Sequence, residues 1–341
     1  MLLKRYGDAT VRFNKPVGIK AAASIVGPKE GEGPLGGLFD RVVDDALFGA
    51  ETWEKAESEF AKEAVNLAVS KAKASMTDID MILAGDLLNQ SIGSIFGLRE
   101  TNRPYIGLFG ACSAIGEGMA LGSMLIDGGF ASNILTVASS HFCSAEKQFR
   151  FPLEFGSQRP PTSTWTVTGS GAILLTAEPH PVSIISATVG KMLDMGVKDV
   201  NNFGAAMAAA AADTILTHFS DTGRTPADFD LICTGDLGVV GSQLLIELMS
   251  RKGFDISAIH QDCGVEIFDG NTQDTHSGGS GCGCAAVTLA ALYYDKLAQG
   301  NLNRMLFLPT GALMSLTSAQ QGESIPSISH AVEIINTKVL G

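Results

Sequence analysis

Two short apolar runs, each closed off by acidic turn residues, recur along the chain at a fixed spacing. Asp78-Ile79-Asp80-Met81-Ile82-Leu83-Ala84-Gly85-Asp86-Leu87 and Asp228-Phe229-Asp230-Leu231-Ile232-Cys233-Thr234-Gly235-Asp236-Leu237 lie 150 residues apart. Each reads as a polar turn, a short buried strand and a Gly-Asp exit. Helical periodicity precedes both. Over 53–74, Ala56, Phe60, Ala64, Leu67 and Ala68 fall on one face, and the Ala-rich stretch 204–219 holds the equivalent place in the second copy. A second correspondence follows. Gly110-Ala111-Cys112-Ser113-Ala114-Ile115-Gly116 predicts the start of a helix ending near Ile126, then a strand over 133–138. Gly278-Gly279-Ser280-Gly281-Cys282-Gly283-Cys284 predicts its counterpart, ending near Leu297 and followed by a strand over 304–308. The chain therefore divides into halves at 1–178 and 179–341. Each half alternates strands and helices as βαβαβαββ, which predicts mostly parallel sheets with crossover helices.

The two later helices are unusual. Residues 113–124 and 279–291 are mostly Ala, Gly, Ser, Cys and Met with few charges. A helix apolar on every side is buried on every side, and glycine inside a helix costs about 0.5–1 kcal/mol against alanine. Close packing between two sheets would offset that cost. The pattern thus predicts an α/β fold of five layers, α-β-α-β-α, with the halves related by a pseudo-twofold axis.

Length and composition agree with this. The chain has 341 residues, 45% of them hydrophobic and 18% charged, enough for a large core and for two lobes. No run approaches the ~18 apolar residues of a membrane span; the nearest, 203–219, is broken by Asp213 and His218. The N-terminus lacks the apolar core and cleavage site of a signal peptide. The six cysteines are scattered, at 112, 143, 233, 263, 282 and 284, and form no disulfide framework, which fits a reducing cytoplasmic compartment. A net charge of −12 argues against nucleic-acid or lipid-headgroup partners, and means that an anionic ligand must be held by a local site.

Cys112 is the first candidate for chemistry. A thiol at a helix N-terminus faces free amides and the positive end of the dipole, a setting that favours the thiolate. The alternative is a small packing cysteine. Three weaker signals read as structure. Gly31-Glu32-Gly33-Pro34-Leu35-Gly36 has the letters of a dinucleotide fingerprint, but Pro34 and its acidic neighbours suit a loop. Cys282 and Cys284 stand too close for zinc spacing and read as packing. Asp86 and Asp236 end equivalent strands, so their repetition argues for a shared structural role, with calcium left open as a visitor. No cofactor and no resident metal is expected.

A duplicated strand–helix unit with Gly-Ala-Cys-Ser-Ala opening a buried helix resembles the thiolase and ketoacyl synthase III superfamily over nearly the whole chain. Within it, Lys15-Pro16-Val17-Gly18-Ile19, Ala84-Gly85-Asp86-Leu87-Leu88-Asn89-Gln90 and Ser140-His141-Phe142-Cys143-Ser144-Ala145-Glu146-Lys147-Gln148-Phe149-Arg150 resemble the stage V sporulation protein AD family. The resemblance implies a thiolase-like fold, with Cys112 at the superfamily's nucleophile position. It further implies a role in loading dipicolinate (pyridine-2,6-dicarboxylate) into the developing spore, with calcium left open as a companion. The protein would be a soluble binding component, peripheral to the inner spore membrane, beside the membrane proteins of the stage V sporulation A complex. A homodimer is implied in the same way.

The superfamily's catalytic partners test whether the chemistry survives. Ketoacyl synthase III-like enzymes carry a histidine after the second-half strand; here that place holds Thr234-Gly235-Asp236-Leu237-Gly238. The other partner precedes the second buried helix, where His276 stands in a thiolase-like string. One partner is thus missing. His276 reads as a ligand contact, a helix cap or a catalytic remnant. If the two buried helix N-termini converge, one carboxylate of dipicolinate would sit near Cys112 and Ser113 and the other near Gly278 and Gly279. The stretch 140–165 adds His141, Lys147, Arg150 and Arg159 for carboxylates and Phe149, Phe151, Phe155 and Trp165 for a pyridine ring; its alternative is a solvated or dimer-facing loop. Three functions follow: a dipicolinate-binding protein with a degenerate site, an active acyltransferase using Cys112, and a scaffold for membrane partners.

Overall fold

In the computed structural model, which describes residues 5–150, 154 and 158–340, the two halves carry the same succession of elements. The first runs β1 (Thr10–Val26), α1 (Trp53–Lys71), β2 (Met81–Gly85), α2 (Ile92–Leu98), β3 (Tyr105–Gly107), α3 (Ala114–Asp127), β4 (Asn133–Ser140), α4 (Phe142–Phe149) and β5 (Gly169–Thr176). The second runs β6 (Val182–Thr188), α5 (Phe203–Thr222), β7 (Leu231–Gly235), α6 (Gly238–Arg251), β8 (His260–Asp262), α7 (Cys263–Ile267), α8 (Cys282–Thr288), α9 (Tyr294–Gln299), β9 (Arg304–Ala312), α10 (Leu316–Gln320) and β10 (Ala331–Asn336). A π-helical turn over Leu289–Tyr293 joins α8 to α9. Phe151 and Phe155 lie outside the described residues.

The hydrogen-bonded strands run continuously, each half contributing the same order, β1-β5-β4-β2-β3 from the first and β6-β10-β9-β7-β8 from the second, joined where β1 pairs with β6. The expectation of mostly parallel sheets is corrected here. β4–β2–β3 and β9–β7–β8 are parallel, whereas β1–β5–β4 and β6–β10–β9 are antiparallel. The reason lies in the connections. Ser140 pairs with Gly169, so the chain leaves the sheet and re-enters it at the same end. The segment after β9 behaves likewise, with Thr310 opposite Ser329 on a short strand leading into β10. Both points of exit and re-entry lie at the end of the strands where the pocket described below is found.

Three apolar clusters mark the layers. The central one joins Ile115, Met119 and Ile126 of α3 to Cys282, Cys284, Ala285 and Val287 of α8, between Leu83, Ile134 and Ile173 of one sheet and Cys233, Met305 and Phe307 of the other. Phe60, Ala64 and Ala68 of α1 cover the far face of the first sheet through Ile82, Ala84, Leu135 and Val137. Met207, Ala211 and Ile215 of α5, with Leu245 and Met249 of α6, cover Ile232, Leu306 and Leu308 of the second. Ile82 faces out and Leu83 in, as the strand period of two requires. This is the five-layer arrangement. Its middle layer is tight: a Cβ on Gly118 of α3 would lie 2.1 Å from Thr136 Oγ1, and one on Gly171 of β5 would lie 2.5 Å from the Ala286 carbonyl carbon. α8 starts at Cys282, later than predicted, because Gly279 and Ser280 are drawn into a short parallel pairing with Trp165 and Thr166.

The repeated acidic turns acquire a physical reason. Asp78 Oδ2 accepts from the Ser75 amide at 2.8 Å, and Asp228 Oδ2 from the Thr225 amide at 2.8 Å, each capping a 3-10 turn that leads into a strand. Asp80 Oδ2 accepts from Ser132 and Asn133 at 2.7 and 2.9 Å, and Asp230 Oδ2 from Asn303 and Arg304 at 2.7 and 3.0 Å. One carboxylate enters the strand and the next ties down the start of its neighbour. The tight middle layer gives a test. Gly171→Ala is expected to lower the unfolding free energy by about 1–3 kcal/mol through overpacking, while Gly37→Ala, whose Cβ meets nothing within 4 Å, leaves it nearly unchanged; urea denaturation of both variants measures the difference.

Candidate functional site

A cavity of about 910 Å³ opens where the two strand–excursion segments meet the start of α3. Its lining includes Asp86, Phe109, Cys112, Phe149 and Arg150 from the first half and Lys198, Asn201, Ser280 and residues 312–316 from the second. It lies at the upper end of ordinary small-molecule pockets, about 300–1,000 Å³.

Cys112 occupies a 3-10 turn, Ala111–Ser113, that runs straight into α3. Ala111 has φ of 50°, a left-handed conformation that turns the chain toward the cavity. The second half reaches this turn directly: Cys282 Sγ at the start of α8 donates to the Ala111 carbonyl at 2.9 Å. The two buried helices therefore do converge. Their amides, however, are already engaged. Ser113 N–H donates to the Gly110 carbonyl at 3.0 Å, Gly283 N–H to Ser140 Oγ at 3.0 Å, and Cys284 N–H to the Gly281 carbonyl at 2.9 Å.

The expectation that this setting favours a thiolate is corrected first by burial and then by a neighbouring charge. Burial pushes the Cys112 thiol well above its ordinary value, and the Asp236 carboxylate pushes it further, against help from the Gly281 amide. Asp236 stands where the superfamily carries a histidine. It is fully buried, and burial followed by the neighbouring Asp262 raises its carboxyl well above the usual range. Asp262 is fixed in place by Thr234 Oγ1 at 2.7 Å and the amides of Leu237, Gly238 and Gly264 at 3.1, 2.9 and 3.0 Å, and burial lifts it to about 6. On the first-half side, Asp86 accepts from the Leu88 and Ser94 amides at 2.9 and 2.7 Å. Behind it, Glu57 of α1 accepts from Ser144 Oγ at 2.7 Å and Ser139 Oγ at 3.3 Å. Burial, then the charge of Asp86, raises Glu57; burial raises Asp86.

The cations stand on the walls. Arg150 follows α4 and grips Glu146 through Nε and, at 3.0 Å, Nη2. Lys198 donates Nζ to the Gly322 carbonyl at 2.7 Å. Of the residues singled out from the sequence, the pocket brings together Asp86, Cys112, Phe149 and Arg150. Ser113 is fully buried with Oγ on the Gly110 carbonyl at 2.7 Å. His141 caps α4: Nδ1 accepts from the Cys143 amide at 3.1 Å and Nε2–H donates to the Ala46 carbonyl at 2.9 Å, while burial lowers its pKa, so it is neutral. Arg159 holds Asp274 at 3.0 Å and lies over the Trp165 ring at 4.6 Å. His276 is half-exposed with Nε2 3.4 Å from Asp274 Oδ1, away from the cavity. Gly278 and Gly279 are buried in the strand pairing with Trp165; the next residue, Ser280, is the one that reaches the cavity. Sequence reasoning missed Lys198, in an irregular segment, and 312–316, which span the end of β9, a short irregular link and the first residue of α10. Among the described residues no three His, Cys, Asp or Glu side chains are grouped to hold a metal ion.

The model of a known family, "Stage V sporulation protein AD (SpoVAD)", matches residues 7–335. The stage V sporulation protein AD of Bacillus subtilis (strain 168) is 45% identical over 330 residues, covering 97% of each chain. The chain belongs to the stage V sporulation protein AD family. Its fold is also that of distant solved structures. A Xanthomonas campestris OleA E117D structure superposes with a TM-score of 0.62 at 15% identity, over 95% of this chain and 97% of that one. The 3-oxoacyl-[acyl-carrier-protein] synthase III of Aquifex aeolicus VF5 gives 0.56 at 12%, over 94% and 99%. These likenesses establish the thiolase-like, ketoacyl synthase III type of fold for this family member.

The buried Glu57 makes stability depend on pH. Its carboxyl titrates above its ordinary 4.5 in the folded chain, so the folded state holds a proton that the unfolded state has released, and stability falls as pH rises above 4.5. Glu57→Gln removes that term. Urea unfolding across pH 5–9 is expected to show a flatter profile for the variant, with its advantage over the parent growing toward alkaline pH.

Proposed function

We propose that this stage V sporulation protein AD family member binds dipicolinate in the pocket beside Cys112 and acts in its uptake into the developing spore, with the ancestral acyltransferase chemistry lost. The observation that carries this reading is the charge layout of the cavity. Arg150 and Lys198, from different halves, are its cations; of its two lining carboxylates, Asp86 is shifted by burial toward the neutral form and Glu146 is paired with Arg150. Such a site accepts a dianion that the chain's overall charge of −12 would repel. Thr166 and the hydrogen-bonded pair Thr164–Ser280 add hydroxyls, and Phe109 and Phe149 add ring faces for a planar ligand. Calcium would enter as the ligand's counter-ion, near Asp86.

The loss of chemistry follows from the same groups. Condensation needs an activated nucleophile and a base or oxyanion donor at hand; here the thiol is held protonated and Asp236 replaces the histidine. An acyltransferase remains the second reading because Cys112 lines the cavity. A scaffold with a silent pocket is the third. Among the described residues no helix is long and apolar enough to cross a membrane; in this reading the protein attaches to the inner spore membrane through the membrane proteins of the stage V sporulation A complex.

Calorimetry with dipicolinate, with and without calcium, is expected to show saturable binding that pyridine-2-carboxylate does not match. Arg150→Ala and Lys198→Ala should each weaken it roughly 10–100-fold, the worth of a charged hydrogen bond of about 1.5–3 kcal/mol, and His276→Ala should not. No heat at millimolar ligand would sink the reading, and an acyl adduct on Cys112 after incubation with acyl coenzyme A would revive the second.

We also propose a homodimer formed through β3. Among the described residues β3 pairs only with β2, and Tyr105, Ile106 and Phe109 are exposed alongside Ile95 and Phe96 of α2. A free, apolar edge strand invites pairing with a second copy. Sedimentation velocity should show a dimer that Ile106→Lys shifts to monomer; a monomeric parent protein would rule the dimer out.

A further inference from the structure

A second cavity, of about 310 Å³, lies at the seam between the halves and shares no lining residue with the pocket beside Cys112. Cross-strand pairing builds its floor. Arg12 of β1 stands opposite Ser186 of β6, and Ser186 stands opposite Glu333 of β10, so the three side chains form one row on one face of the sheet. Thr222, at the end of α5, and Arg224, two residues beyond it, close the cavity from the other side. The floor is fully engaged. Glu333 is 2% exposed and accepts from Ser186 Oγ at 2.9 Å, from Arg224 Nη2 at 2.8 Å and from Arg304. Thr222 Oγ1 donates to the His218 carbonyl at 2.5 Å. The cationic walls are not. Arg224 Nε is buried without a hydrogen-bond partner. Arg12 has no hydrogen bond or ion pair among the described residues; it lies over the Tyr6 ring, 5.9 Å from the centre. The acids nearby are turned to amides: Asp221 to those of Asp8, Ala9 and Thr10, and Asp228, 3.8 Å from Arg224 Nη1, to that of Thr225.

We propose that this cavity is a second binding site, for a small oxyanion (a phosphate group or a carboxylate) held between Arg12 and Arg224. Two guanidiniums line it against one carboxylate, and Glu333 has Arg304 as a further cation of its own. The chain carries 36 acidic against 24 basic side chains, yet Arg12 meets none of the acids. A guanidinium offers its donors in a fixed fork that matches the paired oxygens of a phosphate or a carboxylate, and two such forks facing one space suit an anion between them. The volume stands at the lower end of small-molecule sites, about 300 Å³, so the occupant is small. Arg12 belongs to the first half and Arg224 to the second, so the bound anion bridges the seam where β1 pairs with β6 and stabilises only the assembled chain. This goes beyond the reading of the Cys112 pocket and stands whether or not dipicolinate binds there.

The test is calorimetric titration of the full chain with inorganic phosphate and, separately, with succinate, each at an ionic strength matched with sodium chloride so that general screening is constant. Saturable binding of at least one anion is expected; preference for phosphate assigns the site to a phosphate group, and preference for succinate assigns it to a carboxylate. Arg12→Ala should weaken the binding about tenfold or more, the worth of a charged hydrogen bond. Arg150→Ala, in the other pocket, should leave it unchanged. Because Arg12 holds no other part of the fold, its variant should melt in chloride at the temperature of the parent, and the parent alone should gain melting temperature on adding the preferred anion. Failure of both anions to bind at millimolar concentration, or binding that Arg12→Ala leaves intact, would overturn the proposal. Neither titration contains dipicolinate, so the outcome is separate from that of the Cys112 pocket.

Discussion

The close approach of two small-residue helices to the sheets on either side is the constraint on which the rest of this structure depends. α3 and α8 can lie in the middle layer only because Gly118 and Gly171 present no Cβ where Thr136 and Ala286 already stand. That closeness brings the head of α8 within 2.9 Å of the Ala111 carbonyl and so fixes the place where the halves meet. The polar groups gathered there are shifted by the dryness that the packing creates.

Much of the fold was legible because the chain states it twice. The Asp78–Leu87 and Asp228–Leu237 strings, spaced by 150 residues, mark β2 and β7, and their acids proved to be caps and strand ties. The bland composition of the central helices announced burial on all sides. Strand direction was not legible. Whether β5 and β10 run parallel depends on where the preceding excursion re-enters, and nothing in the periodicity of 141–168 or 313–330 records that.

The site was legible in part. Cys112 was marked by its position at a buried helix start, and Arg150 by its chemistry. His276, Gly278 and Gly279 looked equally well placed, but the pairing of Gly279 with Trp165 shifts the register so that Ser280 faces the cavity. Lys198 carried no signal because it lies in an irregular segment whose fold is set by contacts distant in sequence. His141 and Arg159 were the right residue types in the right stretch, yet their polar atoms are used for a helix cap and a loop clamp.

β1 has a consequence for how the chain is made. Residues 18–26 of this strand pair with β5, while residues 10–12, 17 and 18 pair with β6. β1 therefore lacks one of its neighbours until β6, which starts 156 residues after β1 ends, has also been synthesised. The two halves share a seam that closes only when both exist. The duplication is a symmetry of the finished object and gives no warrant to treat either half as a free-standing folding unit.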